Sequence, residues 1–146
     1  MSGLRPDRKA ALTEGATAML GDAPAAAMIP TKDRARARDY YENTLGLKLR
    51  REFDGPGGGF MFDSAGSMIM VYETFEDITA KHTLATWRVD DIGSEMAALR
   101  SKGITFEEYD FPGMKTVNGV LSDETMGKAC WFKDPDGNIL SVIQEA

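Results

Sequence analysis

The stretch that decides the fold is Trp131-Phe132-Lys133-Asp134-Pro135-Asp136-Gly137-Asn138-Ile139-Leu140-Ser141-Val142. Two apolar runs flank a turn in which Pro135 presets φ and Gly137 supplies a positive φ at no steric cost. This pattern is typical of a β-hairpin, and it predicts that the turn residues do no more than join two strands. The strand after the turn is more informative, because of the side chains that it presents and those that it lacks.

Composition limits the size of the protein and its partners. A chain of 146 residues is long enough for one domain or for two small, closely packed modules, and 42% apolar residues are typical of a globular protein. A net charge of −6 argues against a nucleic-acid partner, because no basic stripe is available to neutralise phosphates. The single cysteine, Cys130, excludes an internal disulfide and is compatible with a reducing cytosol.

No stretch of the sequence approaches the ~20 apolar residues of a membrane span. The charged residues near the N-terminus are not followed by an apolar run, so a secretory signal is not expected. We therefore expect a cytoplasmic protein with no membrane partner. Residues 1–23 are interpreted as an N-terminal appendage with a weak helical pattern, for which partial disorder is the alternative, and residues 24–146 as a single domain.

The first half of that domain follows the order strand, helix, three strands. The first strand spans 25–31, Asp33 is placed to cap the helix that follows, and Gly46 is placed to end it. Three further strands are predicted over 47–53, 60–62 and 68–72. We define module one as about 25–75.

The second half repeats this order. A strand over 83–89 precedes a helix that Asp91 caps and Gly103 ends, and strands are predicted over 104–109, 128–133 and 139–144, with a long polar connection over 111–123. Module two is about 82–144, so the chain is an internal duplication of units of roughly sixty residues. Each unit has one helix, which covers one sheet face. The other face stays bare unless the two sheets curl around a shared cavity, where a ligand would bind.

Several short segments, in this order and spacing, resemble the vicinal oxygen chelate superfamily, which contains glyoxalase I, the extradiol dioxygenases and the bleomycin-resistance proteins. They are Thr31-Lys32-Asp33, Asp39-Tyr40-Tyr41, Leu45-Gly46-Leu47, Val89-Asp90-Asp91, Lys102-Gly103 and Trp131 to Asn138. The resemblance implies an α+β fold of two βαβββ modules that form a U-shaped mixed sheet around a cavity, as in the glyoxalase, bleomycin-resistance and dihydroxybiphenyl dioxygenase proteins. It also implies a homodimer.

Enzymes of that superfamily hold a divalent metal with His and Glu side chains on the first and last strands of each module. Carried over one at a time, these positions fall on Ala26, Met70, Leu84 and Ser141. None of them supplies the carboxylate oxygen or imidazole nitrogen that such an ion prefers. We therefore expect no metal and no cofactor.

The cavity-facing side chains follow from period-2 alternation along the inner strands. With the rim loop and the hairpin added, the candidate ligand-binding residues are Met28, Met68, Met70, Tyr72, His82, Leu84, Thr86, Arg88, Phe111, Met114, Trp131 and Ser141, beside Ile139 and Ile143.

Two interpretations stay open for most of these residues. The methionines are either an adaptable binding surface or core filling. Arg88 either holds an anionic ligand or pairs with a carboxylate. Phe111 and Met114 belong either to a lid or to a surface loop. Trp131, expected to be equivalent to Phe60, either fills the core or stacks on a planar ligand.

His82, the only histidine, is either a partly exposed polar residue at a strand start or an acid or base in the cavity mouth. No other catalytic residue is predicted.

Three classes of function remain. The first is a metal-independent protein of the glyoxalase/bleomycin-resistance type that sequesters a hydrophobic or aromatic ligand. The second is a glyoxalase-like lyase or dioxygenase-type enzyme with a divergent metal site or a His82-based site. The third is a structural or interaction protein with a vestigial cavity. The missing metal ligands favour the first class over the second, and the bare sheet faces favour it over the third.

Overall fold

The computed structural model describes residues 19–146, which form an α+β fold of two βαβββ modules. Module one contains β1 (Ala26–Thr31), α1 (Arg34–Asp39), β2 (Lys48–Phe53), β3 (Gly59–Ser64) and β4 (Ser67–Glu73). Module two contains β5 (Thr83–Arg88), α2 (Ile92–Ser101), β6 (Asp110–Phe111), β7 (Met114–Lys115), β8 (Leu121–Asp123), β9 (Gly127–Lys133) and β10 (Ile139–Gln144). A 3₁₀ turn, Leu20–Asp22, precedes β1, and residues 1–18 of the predicted appendage lie outside the described residues.

The strand order confirms the duplication. The first sheet has the order β1-β4-β3-β2 and the second β5-β10-β9-β8. In both sheets the first and last strands of the module pair in parallel, and the other pairs are antiparallel. Asp33 and Asp91 cap the two helices, each accepting a hydrogen bond from a backbone N–H three residues on.

One hydrophobic core joins the two modules. Ile29, Phe62 and Val71 of the first sheet are fully buried with Tyr41, which follows α1. Met96 of α2 belongs to the same buried cluster. The Tyr41 and Phe62 rings stack with centroids 6.0 Å apart. Each sheet therefore buries the face that carries its helix and leaves the other face outside the core.

Module two departs from the predicted strands at one place. The expected strand over 104–109 is absent apart from one bridge between Phe106 and Phe132, and the strand beside β9 is β8 instead. The Glu108 carboxylate explains this difference, because it accepts hydrogen bonds from Thr116 Oγ1 and the Gly119 N–H and closes the chain into a loop. The predicted polar connection contains the β6–β7 hairpin and β8.

The turn over 134–138 does more than join β9 and β10, which overturns the expectation for these residues. Asp134 Oδ2 accepts a 2.7 Å hydrogen bond from the Tyr41 hydroxyl, across 93 positions of sequence. Asn138, which is fully buried, donates from Nδ2 to the Pro30 carbonyl at 2.8 Å. Asp136 accepts from Thr31 Oγ1 at 2.6 Å. We call these turn residues the inter-module clamp, since they fix module two on the end of β1 and on α1.

The charge at the centre of the clamp is held by four donors. Asp134 accepts from the backbone N–H groups of Asp136 and Asn138, as well as from the Tyr41 hydroxyl and the Asn138 amide. Burial nevertheless raises the pKa of Asp134, and the four hydrogen bonds act in the opposite direction. The ionised carboxylate is therefore tolerated in the core only because its donors are in place.

We predict that Tyr41→Phe lowers the free energy of unfolding by about 1.5–3 kcal/mol at pH 7, because it removes one donor from a buried carboxylate. Without that donor the pKa of Asp134 rises further. Because the folded-state pKa of Asp134 lies above its unfolded value, the group favours folding most at acid pH, and this contribution is lost as the pH rises through the folded pKa. The difference from the wild type should therefore shrink as the pH is lowered toward 4.

Urea denaturation of the Tyr41→Phe variant and the wild type at both pH values measures this difference. Tyr72→Phe, which removes a half-buried hydroxyl on the other face of the sheet, is the matched control and should change stability by less than about 0.5 kcal/mol. A Tyr41→Phe cost that is equal at pH 4 and pH 7 would contradict the assignment of an ionised clamp.

A second prediction tests the duplicated strand starts. A Cβ on Gly59, the first residue of β3, would lie 1.9 Å from the Val71 carbonyl oxygen, and a Cβ on Gly127, the first residue of β9, would lie 2.0 Å from that of Gln144. Gly59→Ala should therefore destabilise the protein by about 2 kcal/mol or more. Gly93→Ala in α2 meets no closer contact than 3.4 Å and should stabilise it by about 0.5–1 kcal/mol. Urea denaturation of both variants measures this, and a neutral Gly59→Ala would contradict the strand packing.

Candidate functional site

Methionines cover the open face of the first sheet, by which we mean the face away from the helices. Met28 of β1 pairs with Met70 of β4, which pairs in turn with Met61 of β3. Met68 lies on the same face, two residues before Met70. Met28 is 52% exposed, and none of the four belongs to the buried core. The methionines at positions 28, 68 and 70 therefore do not fill the core, and the adaptable binding surface stays a prediction.

Met61 was missed by the sequence reasoning. The signal was present, since Met61 alternates with Phe60 and Phe62, which are both buried on the helix side. Tyr72 closes the row at the end of β4, where it pairs with Pro30 and Gly59. The first sheet therefore presents thioethers and one phenol on its open face.

The open face of the second sheet combines apolar side chains with a hydroxyl pair. Ser141 pairs with Thr86 of β5, and Ser141 Oγ donates to Thr86 Oγ1 at 2.5 Å. Ser141 also pairs with Trp131 of β9, whose indole Nε1 donates to Thr83 Oγ1 at 3.2 Å. Leu84, half-buried, shares the strand β5 with Thr86. The Ser141 hydroxyl is buried and has the exposed Thr86 as its hydrogen-bond partner, and neither group is charged.

The expected equivalence of Trp131 with Phe60 is wrong. Phe60 is 3% exposed and faces the core, whereas Cys130 and Phe132, the neighbours of Trp131, are the core residues of β9. Trp131 pairs with Ser141 in the way that Met61 pairs with Met70. Its ring is therefore available on the open face.

Three aromatic rings form a row that starts at Trp131. The Trp131 and Tyr109 rings meet edge to face with centroids 5.6 Å apart, and Tyr109 stacks with Phe111 at 6.0 Å. Phe111, in β6, is 59% exposed. We call these three residues the aromatic row. Tyr109 begins the rim loop, yet it was not among the predicted site residues, because the prediction named only Phe111 and Met114 as lid residues.

A pocket of about 550 Å³ adjoins the aromatic row. Its walls come from the segment before β5, from the loop that leads into β6, and from the clamp; they are Ile78, Thr79, Ala80, Lys81, Glu107, Tyr109, Phe111, Lys133, Asp136, Gly137 and Ile139. Lys133 Nζ lies 3.7 Å from a Glu107 carboxylate oxygen, so these two charges largely neutralise each other. Burial, and then the nearby Glu107 charge, raise the pKa of the Tyr109 hydroxyl, which therefore stays protonated at neutral pH. We call this the rim pocket.

Of the twelve predicted ligand-binding residues, Phe111 lines the rim pocket and the other eleven do not. His82, Arg88 and Met114 also lie apart from the methionine face and from the hydroxyl pair. His82 is exposed in the bend before β5 and precedes by four residues the Thr86 that pairs with Ser141. The Arg88 side chain is 70% exposed, and its guanidinium lies 3.5 Å from the Glu145 carboxylate, the ion pair that was one of its two interpretations. Met114 pairs with Phe111 across the β6–β7 hairpin and is half-buried. The hairpin therefore exposes Phe111 rather than Met114.

Comparison with known proteins agrees with this architecture. The model of the Glyoxalase/Bleomycin resistance protein/Dioxygenase superfamily matches residues 23–142. The chain belongs to this superfamily. No curated protein matches the sequence.

Solved structures of the superfamily share the fold. TnmS3, an antibiotic binding protein from Streptomyces sp. CB03234, has a TM-score of 0.62 and 21% identity, over 84% of this chain and 95% of that one. A superfamily member from Sphaerobacter thermophilus DSM 20745 has a TM-score of 0.66 and 21% identity, over 84% of this chain and 96% of that one. A third, from Alicyclobacillus acidocaldarius, has a TM-score of 0.59 and 18% identity, over 84% and 90% of the two chains. At these identities the likeness is one of fold.

The metal-binding positions of superfamily enzymes do not fit a divalent ion in this chain. The register places Met28, rather than Ala26, opposite Met70, and Thr86, rather than Leu84, opposite Ser141. In either register these side chains are thioethers, hydroxyls or alkyl groups, and none of them is a ligand that a hard or borderline ion prefers. Within residues 19–146, no three His, Cys, Asp or Glu side chains come together in a way that could hold a metal.

The Cys130 thiol is not placed to act as a nucleophile. Cys130 is fully buried, and burial raises the pKa of its thiol to about 11. It therefore lacks the thiolate character of a nucleophile.

Among the helices described between residues 19 and 146, none is both long and apolar enough to cross a membrane.

We predict that Ser141→Glu does not confer metal binding. The new carboxylate would face Thr86 and Trp131, which offer neither imidazole nor a second carboxylate, so one ligand would have to hold the ion alone. Isothermal titration with Zn²⁺ and Mn²⁺ should give no saturable heat for the variant or for the wild type. Tight uptake by the variant would show that ligands from elsewhere converge on position 141.

Proposed function

We propose that this superfamily member is a metal-independent small-molecule-binding protein that sequesters a planar, hydrophobic or aromatic ligand. The aromatic row beside the rim pocket is the observation that carries the proposal. Its outermost ring, Phe111, exposes more than half of its surface to water. A bound ligand would cover this ring and so remove apolar surface from water. A flat ligand that stacks on this row would also reach the open face through Trp131.

The methionines of the first sheet support the same ligand class. Thioethers are polarisable and flexible, so they adapt to irregular apolar shapes and make favourable contacts with aromatic rings. Neighbouring strands place Met28, Met61 and Met70 in register, side by side. Such a face suits a ligand that is wide, flat and weakly polar. The likeness of the fold to that of an antibiotic binding protein is consistent with this proposal.

A homodimer is part of the proposal, and a cytoplasmic location stays a prediction. An exposed methionine face on a single sheet layer is typical of a surface that a second copy covers. In such a dimer the open face of one copy would meet the open face of the other, with the ligand between them. Light scattering at micromolar concentration distinguishes this arrangement from a monomer.

A binding experiment tests the proposed function. Thermal-shift assays with bleomycin, the naphthalene dye 8-anilinonaphthalene-1-sulfonate, catechol and the methylglyoxal–glutathione adduct identify a binding probe. Trp131→Ala and Phe111→Ala should each weaken the binding of that probe about tenfold, since stacking on one ring contributes about 0.5–1.5 kcal/mol beyond area burial. Phe75→Ala removes a ring that is 78% exposed, more than Phe111, and that lies outside the rim pocket, and it should leave binding unchanged.

Three results would contradict the proposal. Undiminished binding in both aromatic-row variants would place the ligand elsewhere. Turnover of catechol or of the glutathione adduct that is abolished by His82→Ala would instead favour the enzyme interpretation. A wild-type protein that binds none of the four probes and shows no turnover would favour the vestigial cavity.

A further inference from the structure

A second pocket lies between the two modules on the helix side of the sheets. Its volume is about 220 Å³. Leu45 and Leu47 of module one form one wall, and module two supplies the other; the module-two residues include Trp87, Val89, Leu99 and Val142. We call this the inter-module pocket.

The inter-module pocket is separate from the open faces. Trp87 and Val142 pair with each other on the helix side of the second sheet, whereas their neighbours Thr86 and Ser141 lie on the open side. Val142 and Leu99 belong to the buried core, and Leu45, Leu47 and Trp87 pack against it while staying half-exposed. The pocket is therefore a gap in the core that opens to solvent.

Two of the polar side chains at this pocket, those of Trp87 and Arg88, already have partners. The Trp87 indole Nε1 donates to Ser64 Oγ at 3.0 Å, so the largest aromatic side chain in the wall has no free donor. Arg88, at the mouth, has its guanidinium beside Glu145. Glu95, also at the mouth, adds a negative charge. The Arg88 and Glu145 charges offset each other while the Glu95 charge remains, so this pocket favours a neutral ligand over an anion.

We propose that the inter-module pocket is a second ligand site, which takes a neutral one- or two-ring aromatic molecule. The volume supports this size, because a dry cavity of about 150 Å³ with aliphatic and aromatic walls accepts benzene. An apolar guest removes the half-exposed walls from water without breaking an existing hydrogen bond. Because both modules supply walls, the bound molecule would fasten Leu45 and Leu47 to module two and stabilise the pair of modules together.

The two tryptophans allow a direct test, with indole as the probe. In a ¹⁵N-labelled sample each tryptophan gives one indole N–H resonance, which Trp87→Phe and Trp131→Phe assign. Unlabelled indole should shift the Trp87 resonance saturably at concentrations below about 1 mM, whether or not the Trp131 resonance at the open face also shifts. Indole-3-acetate has the same ring with a negative charge and should bind at least tenfold more weakly.

A variant that fills the inter-module pocket gives a second test. Val89→Phe should weaken indole binding at least tenfold and leave the melting temperature unchanged or higher, since it occupies apolar space. Val117→Phe makes the same change at a site that is 64% exposed and outside the pocket, and should bind indole like the wild type.

Nuclear Overhauser contacts in the wild-type protein keep the test decisive if Val89→Phe does not fold. Indole protons should contact the methyl groups of Leu47 and Val142. Shifts at Trp131 alone, contacts to the methionine methyl groups instead, or no saturable binding would each overturn the proposal. The proposed function concerns the aromatic row and is tested separately, so either can fail without the other.

Discussion

The carboxylate of Asp134, buried where the two modules meet, is the constraint on which the rest of the structure depends. An ionised carboxylate in the core is tolerated only when its oxygen lone pairs accept hydrogen bonds, and here the donors come from both modules. Tyr41, in the π-helical turn Tyr40–Thr44 that follows α1, must therefore hold its hydroxyl against Asp134, and Asn138 must reach the Pro30 carbonyl. The clamp fixes the angle between the sheets more narrowly than apolar packing alone would, since apolar contacts are not directional.

That angle determines which surfaces are left for binding. The helices and the apolar helix-side faces are turned into one core, so the opposite face of each sheet stays outside it. On one sheet this face carries methionines in register, and on the other it carries Trp131 and the hydroxyl pair of Thr86 and Ser141. Superfamily enzymes use the corresponding positions for a metal. Here the same framework carries thioether, hydroxyl and alkyl side chains at these positions.

Much of this arrangement could be predicted from local sequence. Hydrogen-bonding chemistry predicts the helix caps at Asp33 and Asp91. Period-2 alternation predicts the sheet faces on which Met28 and Thr86 lie, and the repeated strand order follows from the sequence pattern. The clamp could not be predicted, because Asp134 is 93 residues from Tyr41 and a Pro-Asp-Gly turn has the same local sequence whether it is docked or free. The loop closed by Glu108 could not be predicted for a related reason. The Glu108 carboxylate accepts a hydrogen bond from the backbone N–H of Gly119, 11 residues away, and this interaction competes with the strand pairing that apolar alternation predicts.

Hydrogen exchange at the clamp amides tests the central claim most directly. The N–H groups of Asp136 and Asn138 donate to Asp134, so they should exchange only through global unfolding, as slowly as the core amide of Leu140. The equivalent turn in module one, Ala65 and Gly66, has no such carboxylate and should exchange many-fold faster. If Asp136 and Asn138 exchanged as fast as that turn, the clamp would not hold the modules together, and the account of the open faces would fall with it.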